Sequence, residues 1–332
     1  MNKEILSLVQ QNISIAGSLD ISFIIPTYNE EVCLPETIEK IKKHTPENLS
    51  YEIIVADNGS TDNTIQVATL NANRVVNNDA ATVGGLRNCA VSVSSGAVLV
   101  FLDADVHLTK QWEDNIYDVF HILMNRPLLI TGSRCDIPDD PSWVEECWFK
   151  SHVLKECNYI NSGHLIMRRD LFESQSGFDD KLTTGEDYVF CQNAMLAGVT
   201  ISNNPSLRVV HVGYPKTLRE FFSREVWHGR GDCSSLKAAW SSKVARAAFL
   251  LLMLHFVALS SLLYFNSIHF FVLFVLLIVG LCVVAAIKRH DVRKIGDLLQ
   301  ISGLYYLYFV ARAYSCVAII WTHTLTKRQR QM

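Results

Sequence analysis

The stretch Val98-Leu-Val-Phe-Leu-Asp-Ala-Asp105 decides the reading of this chain. Five apolar residues in a row predict a strand buried on both faces, as in a parallel sheet, because a half-exposed strand would alternate. The run ends in two carboxylates one residue apart. In open α/β sheets the carboxyl ends of the strands face the ligand crevice, which puts Asp103 and Asp105 at a site. Side chains at i and i+2 of an extended segment point the same way. Two converging carboxylates repel each other unless a cation joins them. Oxygen ligands suit Mg²⁺ or Mn²⁺, and Mg²⁺ is usually held by one or two carboxylates plus substrate phosphates. Two readings stay open for these residues alone. One is a metal-bridged diphosphate site. The other is a solvated Asp-rich turn, since turns favour Asp for their own reasons.

The flanking sequence repeats the pattern. Ile21 to Ile25 is a first apolar strand, stopped by Pro26, and Leu34 to Lys43 has helical spacing through Leu34, Ile38 and Ile41. Tyr51-Glu-Ile-Ile-Val-Ala-Asp57 predicts a second strand ending in an acid. Asn58-Gly-Ser60 is a turn, after which Thr61, Asp62 or Thr64 can cap a helix. Arg74-Val-Val-Asn77 is a short third strand. Gly84-Gly-Leu-Arg-Asn88 opens a helix through Val93, and Gly96 ends it. Strands alternating with helices predict a parallel sheet with right-handed crossovers. Neither the Gly-x-Gly-x-x-Gly dinucleotide fingerprint after the first strand nor a P-loop is present.

Six segments in this order resemble the GT-A fold of family 2 glycosyltransferases. They are Ile24-Ile-Pro-Thr-Tyr-Asn-Glu30, Val55-Ala-Asp-Asn-Gly-Ser-Thr-Asp-Asn-Thr64, Gly84-Gly-Leu-Arg-Asn88, Phe101-Leu-Asp-Ala-Asp105, Asn161-Ser-Gly-His-Leu-Ile-Met-Arg-Arg-Asp-Leu-Phe172 with Gly177-Phe-Asp-Asp180, and Gly185-Glu-Asp-Tyr-Val-Phe190. The resemblance runs over about residues 20 to 215. It implies an α/β, Rossmann-like GT-A domain that moves a sugar from a nucleotide-sugar to an acceptor, usually with inversion. It also implies roles. Pro26, Thr27, Tyr28, Glu30 and Asp57 would hold the nucleoside, with Asp57 on the base edge. Arg87 would lie near the nucleotide or its phosphates. Asp103 would contact the ribose or the metal, and Asp105 would ligate a Mg²⁺ or Mn²⁺ ion bridging the phosphates. That ion would act as a Lewis acid on the departing diphosphate. His211, after the strand at Val209, would be a further metal ligand or phosphate contact.

An inverting transfer needs a carboxylate opposite the leaving group to take the acceptor's proton. Asp187, at the start of the helix Tyr188 to Ala197, is expected to be that base. As a bland alternative it is a helix cap that suits the dipole. Glu186 either orients the acceptor or faces solvent.

Composition limits the rest. The chain has 332 residues and a formal charge of −3, which argues against a nucleic-acid partner. Its nine cysteines include no Cys-x-x-Cys, a pattern expected of reduced thiols filling the core. Residues 1–20 read as a leader rather than a signal peptide, 21–215 as the catalytic domain, 216–243 as a juxtamembrane segment and 244–332 as a membrane region. Ala247–Phe265 and Ile268–Ile287 each approach the roughly 20 residues that cross a ~30 Å hydrocarbon core. Lys243 and Arg246 precede the first. Lys288, Arg289, Arg293 and Lys294 follow the second, and the turn between them has no Lys or Arg. The positive-inside rule then puts the catalytic domain in the cytoplasm. A third stretch, 298–321, carries Arg312 and several Tyr, and reads as interfacial or re-entrant. If it spans, Arg312 becomes a functional hint, for instance a lipid-phosphate contact.

Arg224, Trp227, His228 and Arg230 form a basic and aromatic cluster just before the membrane. They are expected either to contact the acceptor and its phosphates or to anchor the chain at the interface. The Gln-x-x-Arg-Trp of processive relatives is absent and the spans are few, which favours single addition. Tethering beside a bilayer raises the effective concentration of a lipid-anchored substrate, so the expected acceptor is lipid-linked, foremost a polyprenyl-diphosphate-linked sugar. A bare polyprenyl phosphate is the alternative. It is weakened because Val106-His-Leu108 follows the acids where such synthases usually have Leu-Gln. The same fold also serves nucleotidyltransferases, which would show a Gly-rich basic loop after the first strand. An inactive membrane scaffold would have lost the acids that are retained here.

Overall fold

The computed structural model describes residues 19–78, 82–150, 159–233, 236–264, 267–290 and 294–329, with side chains through 318. The expected leader, except for its last two residues, lies outside these, as do Asn266 and Arg293. The chain divides into two compact units. One holds residues up to Asp139 together with Lys155–Tyr214; the other holds Asp140–Leu154 and Pro215 onward.

The first unit comprises β1 (Ile21–Thr27), α1 (Leu34–His44), β2 (Tyr51–Asp57), α2 (Thr64–Asn71), β3 (Arg74–Asn77), α3 (Val83–Ser92), β4 (Val98–Leu102), β5 (Val106–Leu108), α4 (Lys110–Asn125) and β6 (Leu129–Gly132). After α5 (Trp143–Trp148), which belongs to the second unit, it continues with β7 (His164–Arg168), α6 (Arg169–Ser174), α7 (Glu186–Leu196), β8 (Thr200–Asn203) and β9 (Val209–His211). Seven strands form one sheet in the order β3-β2-β1-β4-β7-β6-β8, and β5 pairs with β9 in a small second sheet.

The continuous apolar runs have a direct physical cause. Alternate residues of each central strand feed two different cores. Phe23, Ile25, Ile53, Val55, Val98, Val100 and Leu102 face one layer with α1 and α4. Ile24, Ile54, Ala56, Leu99 and Phe101 face the other with α3 and α7. All five residues of β4 are buried, as the unbroken hydrophobic run requires.

Two details differ from the sequence reading. The sheet is mixed, because β7 runs antiparallel to both β4 and β6 while the other pairs are parallel. A fully buried strand is apolar on both faces in either direction, so hydropathy does not reveal the reversal. β1 also continues through Pro26 to Thr27, pairing Pro26 with Ala56. The β1–β4 ladder ends at Ile24–Phe101, so the proline lies where one neighbour remains to be bonded and its missing N–H is tolerated.

Beneath the site, Trp112 is completely buried and its indole N–H donates to His164 Nε2 at 3.0 Å. The other ring nitrogen, Nδ1, lies 3.1 Å from the Ser133 backbone N–H and 2.9 Å from Ser133 Oγ, and that hydroxyl donates on to the Leu207 carbonyl at 2.6 Å. Burial pushes the imidazole pKa down to about 3, keeping it neutral.

The second unit contains α5, α8 (Leu218–Asp232), α9 (Leu236–Ser241), α10 (Lys243–Leu263), α11 (Ile268–Arg289) and α12 (Ile295–Gln329). α10 and α11 are long and apolar enough to cross a membrane. They expose large side chains such as Phe256 (68%) and Leu276 (61%), which water would penalise and lipid would not. The stretch expected to be interfacial or re-entrant is one uninterrupted helix of 35 residues. Arg312 is not free for a lipid phosphate. It donates to Glu225 at 2.7 Å and to Asp232 at 2.9 Å, both on α8. Cys233 and Cys316 form a disulfide, correcting the expectation that all the cysteines are reduced. They lie 83 residues apart in sequence, and only the packing of α12 beside α8 brings them together.

Candidate active site

The ends of β4, β5 and β9 build the site. β4 stops at Leu102, and the chain turns at once, with the Val106 N–H donating to the Asp103 carbonyl at 3.1 Å. The carboxylates of Asp103 and Asp105 thus converge across a turn rather than along an extended strand. β5 then pairs with β9, setting Val106 opposite His211. The result is a cluster of Asp103, Asp105 and His211 whose ligand atoms lie within 4.8 Å of one another.

This group fits a divalent cation on three observations. His211 Nδ1 is buried without a hydrogen-bond partner and stands 3.6 Å from Asp105 Oδ2. Two oxygen donors and one imidazole are a set that Mn²⁺ and Mg²⁺ accept. Finally, glycines clear the space. A Cβ on Gly213 would come 1.8 Å from Asp105 Oδ2, and one on Gly163 would come 2.7 Å from Asp103 Oδ2. The His211 ring stacks on Tyr214 at 4.1 Å, and the Tyr214 hydroxyl donates to the Cys135 carbonyl at 3.3 Å. Orienting contacts of this kind set a metal ligand's direction. Tyr214 and Gly213 escaped the sequence reading, their signal being a Gly and a Tyr just beyond a strand-end His, and Gly163 stood in the Asn161–Phe172 segment with no role assigned.

Arg87 lies beside Asp103. It is 2% exposed and reaches two acids at once, with Nη2 donating to Asp103 Oδ1 at 2.6 Å and Nη1 to Glu186 Oε1 at 2.7 Å. Its place is therefore between the metal group and the start of α7. Glu186 also accepts from Ser162 Oγ at 3.3 Å and, being 5% exposed, does not face solvent. Asp187 is 8% exposed. One of its oxygens accepts from the Ser162 N–H at 3.2 Å, the other from the Tyr188 N–H at 2.7 Å. Gly185, at φ +81°, makes the turn into this helix.

Burial raises the pKa of Asp105, Glu186 and Asp187. Glu30 rises to about 7, first through burial and then through the charges of Asp105 and Asp103. Five acids thus gather where, among the described residues, Arg87 and His211 are the basic groups that pair with them. The excess of negative charge is what a divalent cation would relieve.

The residues expected to hold a nucleoside form a separate knot. Asp57 is fully buried and accepts from Thr27 Oγ1 at 3.1 Å, Ser60 N–H at 2.8 Å and Ser60 Oγ at 2.5 Å. Asn29, at φ 56°, links the loop after β1 to Ser60 and Thr61. The Glu30 N–H donates to Thr64 Oγ1 at 2.7 Å. Pro26 lies next to the end of the β1 ladder, opposite Ala56, and Tyr28 is 57% exposed.

The four residues of the expected juxtamembrane cluster all lie on α8, in the second unit. Arg224 donates to Glu225 at 2.8 Å and lies over the Phe149 ring. His228 packs edge-on against Trp227, and burial drops its pKa to about 3. Trp227 and Arg230 are exposed.

The family model for glycosyl transferase family 2 matches residues 22–122, from β1 into α4. Glycosyltransferase AglE of Haloferax volcanii is 27% identical over 194 residues, covering 55% of this chain and 63% of AglE, just under two thirds of its length. WfaP of Escherichia coli, a UDP-Glc:alpha-D-GlcNAc-diphosphoundecaprenol beta-1,3-glucosyltransferase, is 27% identical over 194 residues, covering 55% of this chain and 73% of WfaP. The mannosyltransferase PcManGT of Pyrobaculum calidifontis, solved with GDP-Man and Mn²⁺, aligns over 94% of this chain and 91% of its own with a TM-score of 0.57 and 17% identity. The mixed sheet, the ordered motifs and these comparisons agree: residues 22–122 match the glycosyl transferase family 2 model, and the chain has the GT-A fold.

Proposed function

We propose that the chain is an inverting, metal-dependent transferase that moves one sugar from a nucleotide-diphosphate sugar to a lipid-linked acceptor at the cytoplasmic face of a membrane. The observation that carries this reading is the Asp103–Asp105–His211 group, joined through Arg87 to the acid pair Glu186–Asp187. Asp103, Asp105 and His211 would hold Mn²⁺ or Mg²⁺, which when bound offsets the charge on the departing diphosphate.

Asp187 is the general base. Its two oxygens are held by backbone N–H groups, so its orientation does not depend on a mobile partner. Its raised pKa brings it closer to the value that accepts a proton at neutral pH. The acceptor hydroxyl gives its proton to Asp187 as its oxygen bonds the anomeric carbon. The bond from that carbon to the diphosphate breaks on the opposite side. Glu186, clamped by Arg87 and Ser162, fixes the start of α7 and hence the position of the base. Pro26, Thr27, Tyr28, Glu30 and Asp57 line the nucleoside side.

The acceptor class rests on the lipid-linked substrate in the name of WfaP and on the two apolar helices of this chain. The cytoplasmic orientation rests on Lys243, Arg246, Lys288, Arg289 and Lys294 flanking those helices. The Cys233–Cys316 bond means that the cysteines lend it no support, since disulfides are rare in the cytoplasm.

The test is binding of uridine, guanosine and thymidine diphosphate sugars to the detergent-solubilised chain, with Mn²⁺ and with chelator. Metal-dependent binding of one nucleotide class, lost in Asp105→Ala, is expected. Absence of binding by all of them to folded protein would sink the proposal.

A further inference from the structure

Tyr188 follows the base directly, yet it differs sharply from its neighbours. Glu186 and Asp187 are 5% and 8% exposed, and Tyr188 is 51% exposed. Its backbone N–H is one of the two that hold the Asp187 carboxylate, at 2.7 Å. Its ring meets Tyr159 edge to face, with centroids 5.5 Å apart and planes at 83°. Tyr159 in turn packs against the core beneath α7. The same short backbone stretch carries both Tyr159 and Ser162, the other N–H donor to Asp187. A half-exposed aromatic ring is therefore braced by a half-buried neighbour, one residue along α7 from the carboxylate proposed to meet the acceptor.

We propose that Tyr188, braced by Tyr159, is a saccharide-binding subsite that seats the acceptor's pyranose ring with one of its hydroxyls at Asp187. This rests on the glycosyltransfer reading above and narrows its acceptor to a sugar hydroxyl rather than a phosphate monoester. One face of a pyranose is a patch of C–H groups, and the electron-rich face of a tyrosine ring suits their slightly positive hydrogens. Charge points the same way. A phosphate monoester acceptor is already ionised and needs no base. It would also approach Glu186 and Asp187, where Arg87 is already engaged by Asp103 and Glu186. A neutral hydroxyl meets no such repulsion and has a proton for Asp187 to take. In the transfer, that proton passes to the carboxylate and the hydroxyl oxygen bonds the anomeric carbon. The nucleoside diphosphate leaves with the electron pair of the broken C–O bond.

The test uses the full chain in detergent with Mg²⁺ and a nucleoside diphosphate (UDP, GDP or dTDP). The probes are the methyl glycosides of glucose, galactose, mannose, rhamnose, N-acetylglucosamine and N-acetylgalactosamine, read by saturation-transfer NMR. Wild type is expected to bind at least one, with the strongest transfer to protons on one ring face. Tyr188→Ala should weaken that glycoside about 5- to 10-fold, and Tyr188→Phe should retain it, the range expected for one aromatic contact. Nucleoside diphosphate affinity should stay unchanged in both variants. Nucleotide binding without binding of any glycoside overturns the subsite alone. So does a glycoside indifferent to Tyr188→Ala, or product formed on undecaprenyl phosphate. Failure of every nucleotide to bind overturns the transferase reading instead.

Discussion

Replacing Gly213 by alanine tests the metal group without touching any of its ligands. The added Cβ would sit 1.8 Å from Asp105 Oδ2, 2.8 Å from its Cγ and 3.2 Å from its Cβ. The backbone cannot retreat easily. Val106 is paired with His211, and the Val212 N–H donates to the Asp105 carbonyl at 2.9 Å. The Asp105 side chain must therefore swing away from His211 or leave its rotamer well, the latter costing about 0.5–1.5 kcal/mol. Either response disturbs one of three protein ligands, and changes just outside a metal's ligands typically weaken binding about 10- to 100-fold. That range corresponds to about 1.4–2.7 kcal/mol. The assay is titration of the detergent-solubilised chain with Mn²⁺, following the signal of free aqueous Mn²⁺ by electron paramagnetic resonance, with Asp105→Ala as the floor. Gly213→Ala should fall between wild type and that floor while its melting temperature changes little. Wild-type Mn²⁺ affinity in Gly213→Ala would refute the assignment of Asp105 as a ligand in this geometry.

Other consequences follow from the same structure. Asp187→Asn keeps the shape of the base but not its proton affinity, so turnover should drop about 10²- to 10⁴-fold, with nucleotide-sugar affinity unchanged by calorimetry. His164 has a pKa depressed from 6.5 to about 3; its contribution is present above pH 6.5 and lost as pH falls toward 3, amounting to about 2 kcal/mol by pH 5. His164→Gln, which cannot charge, should remove that part of the acid destabilisation, measured as the pH dependence of the melting temperature. Arg312→Ala leaves Asp232 without its cation and Glu225 with Arg224 alone, a loss expected to cost about 1–3 kcal/mol. Adding Glu225→Gln should recover part of it in thermal unfolding. An equally stable Arg312→Ala would mean that the ion pairs contribute nothing to holding α12 on α8.

The sequence alone determined those features that depend on local pattern. Val98–Leu102 reads as a strand buried on both faces because alternate residues must feed two cores, and its apolar run has no other economical use. The acids at the ends of β2 and β4, and the start of α7 at Gly185, are legible because strand ends and helix starts carry composition signals. The two apolar helices declare themselves by length.

The tertiary structure decided what depends on distant pairings. The antiparallel course of β7 is invisible to hydropathy, since a buried strand is apolar in either direction. His211 reaches Asp105 because β9 pairs with β5, a contact between segments about a hundred residues apart. Arg87, read as a residue near the phosphates, bridges Asp103 and Glu186, a geometry that no spacing along the chain encodes. Arg312 looked like an unpaired charge in an apolar stretch until α8 supplied its two carboxylates, and Cys233 found Cys316 by the same packing. Local sequence sets which elements form and which side chains are available. Only the folded chain brings distant charges close enough to pair, and those pairs define the site.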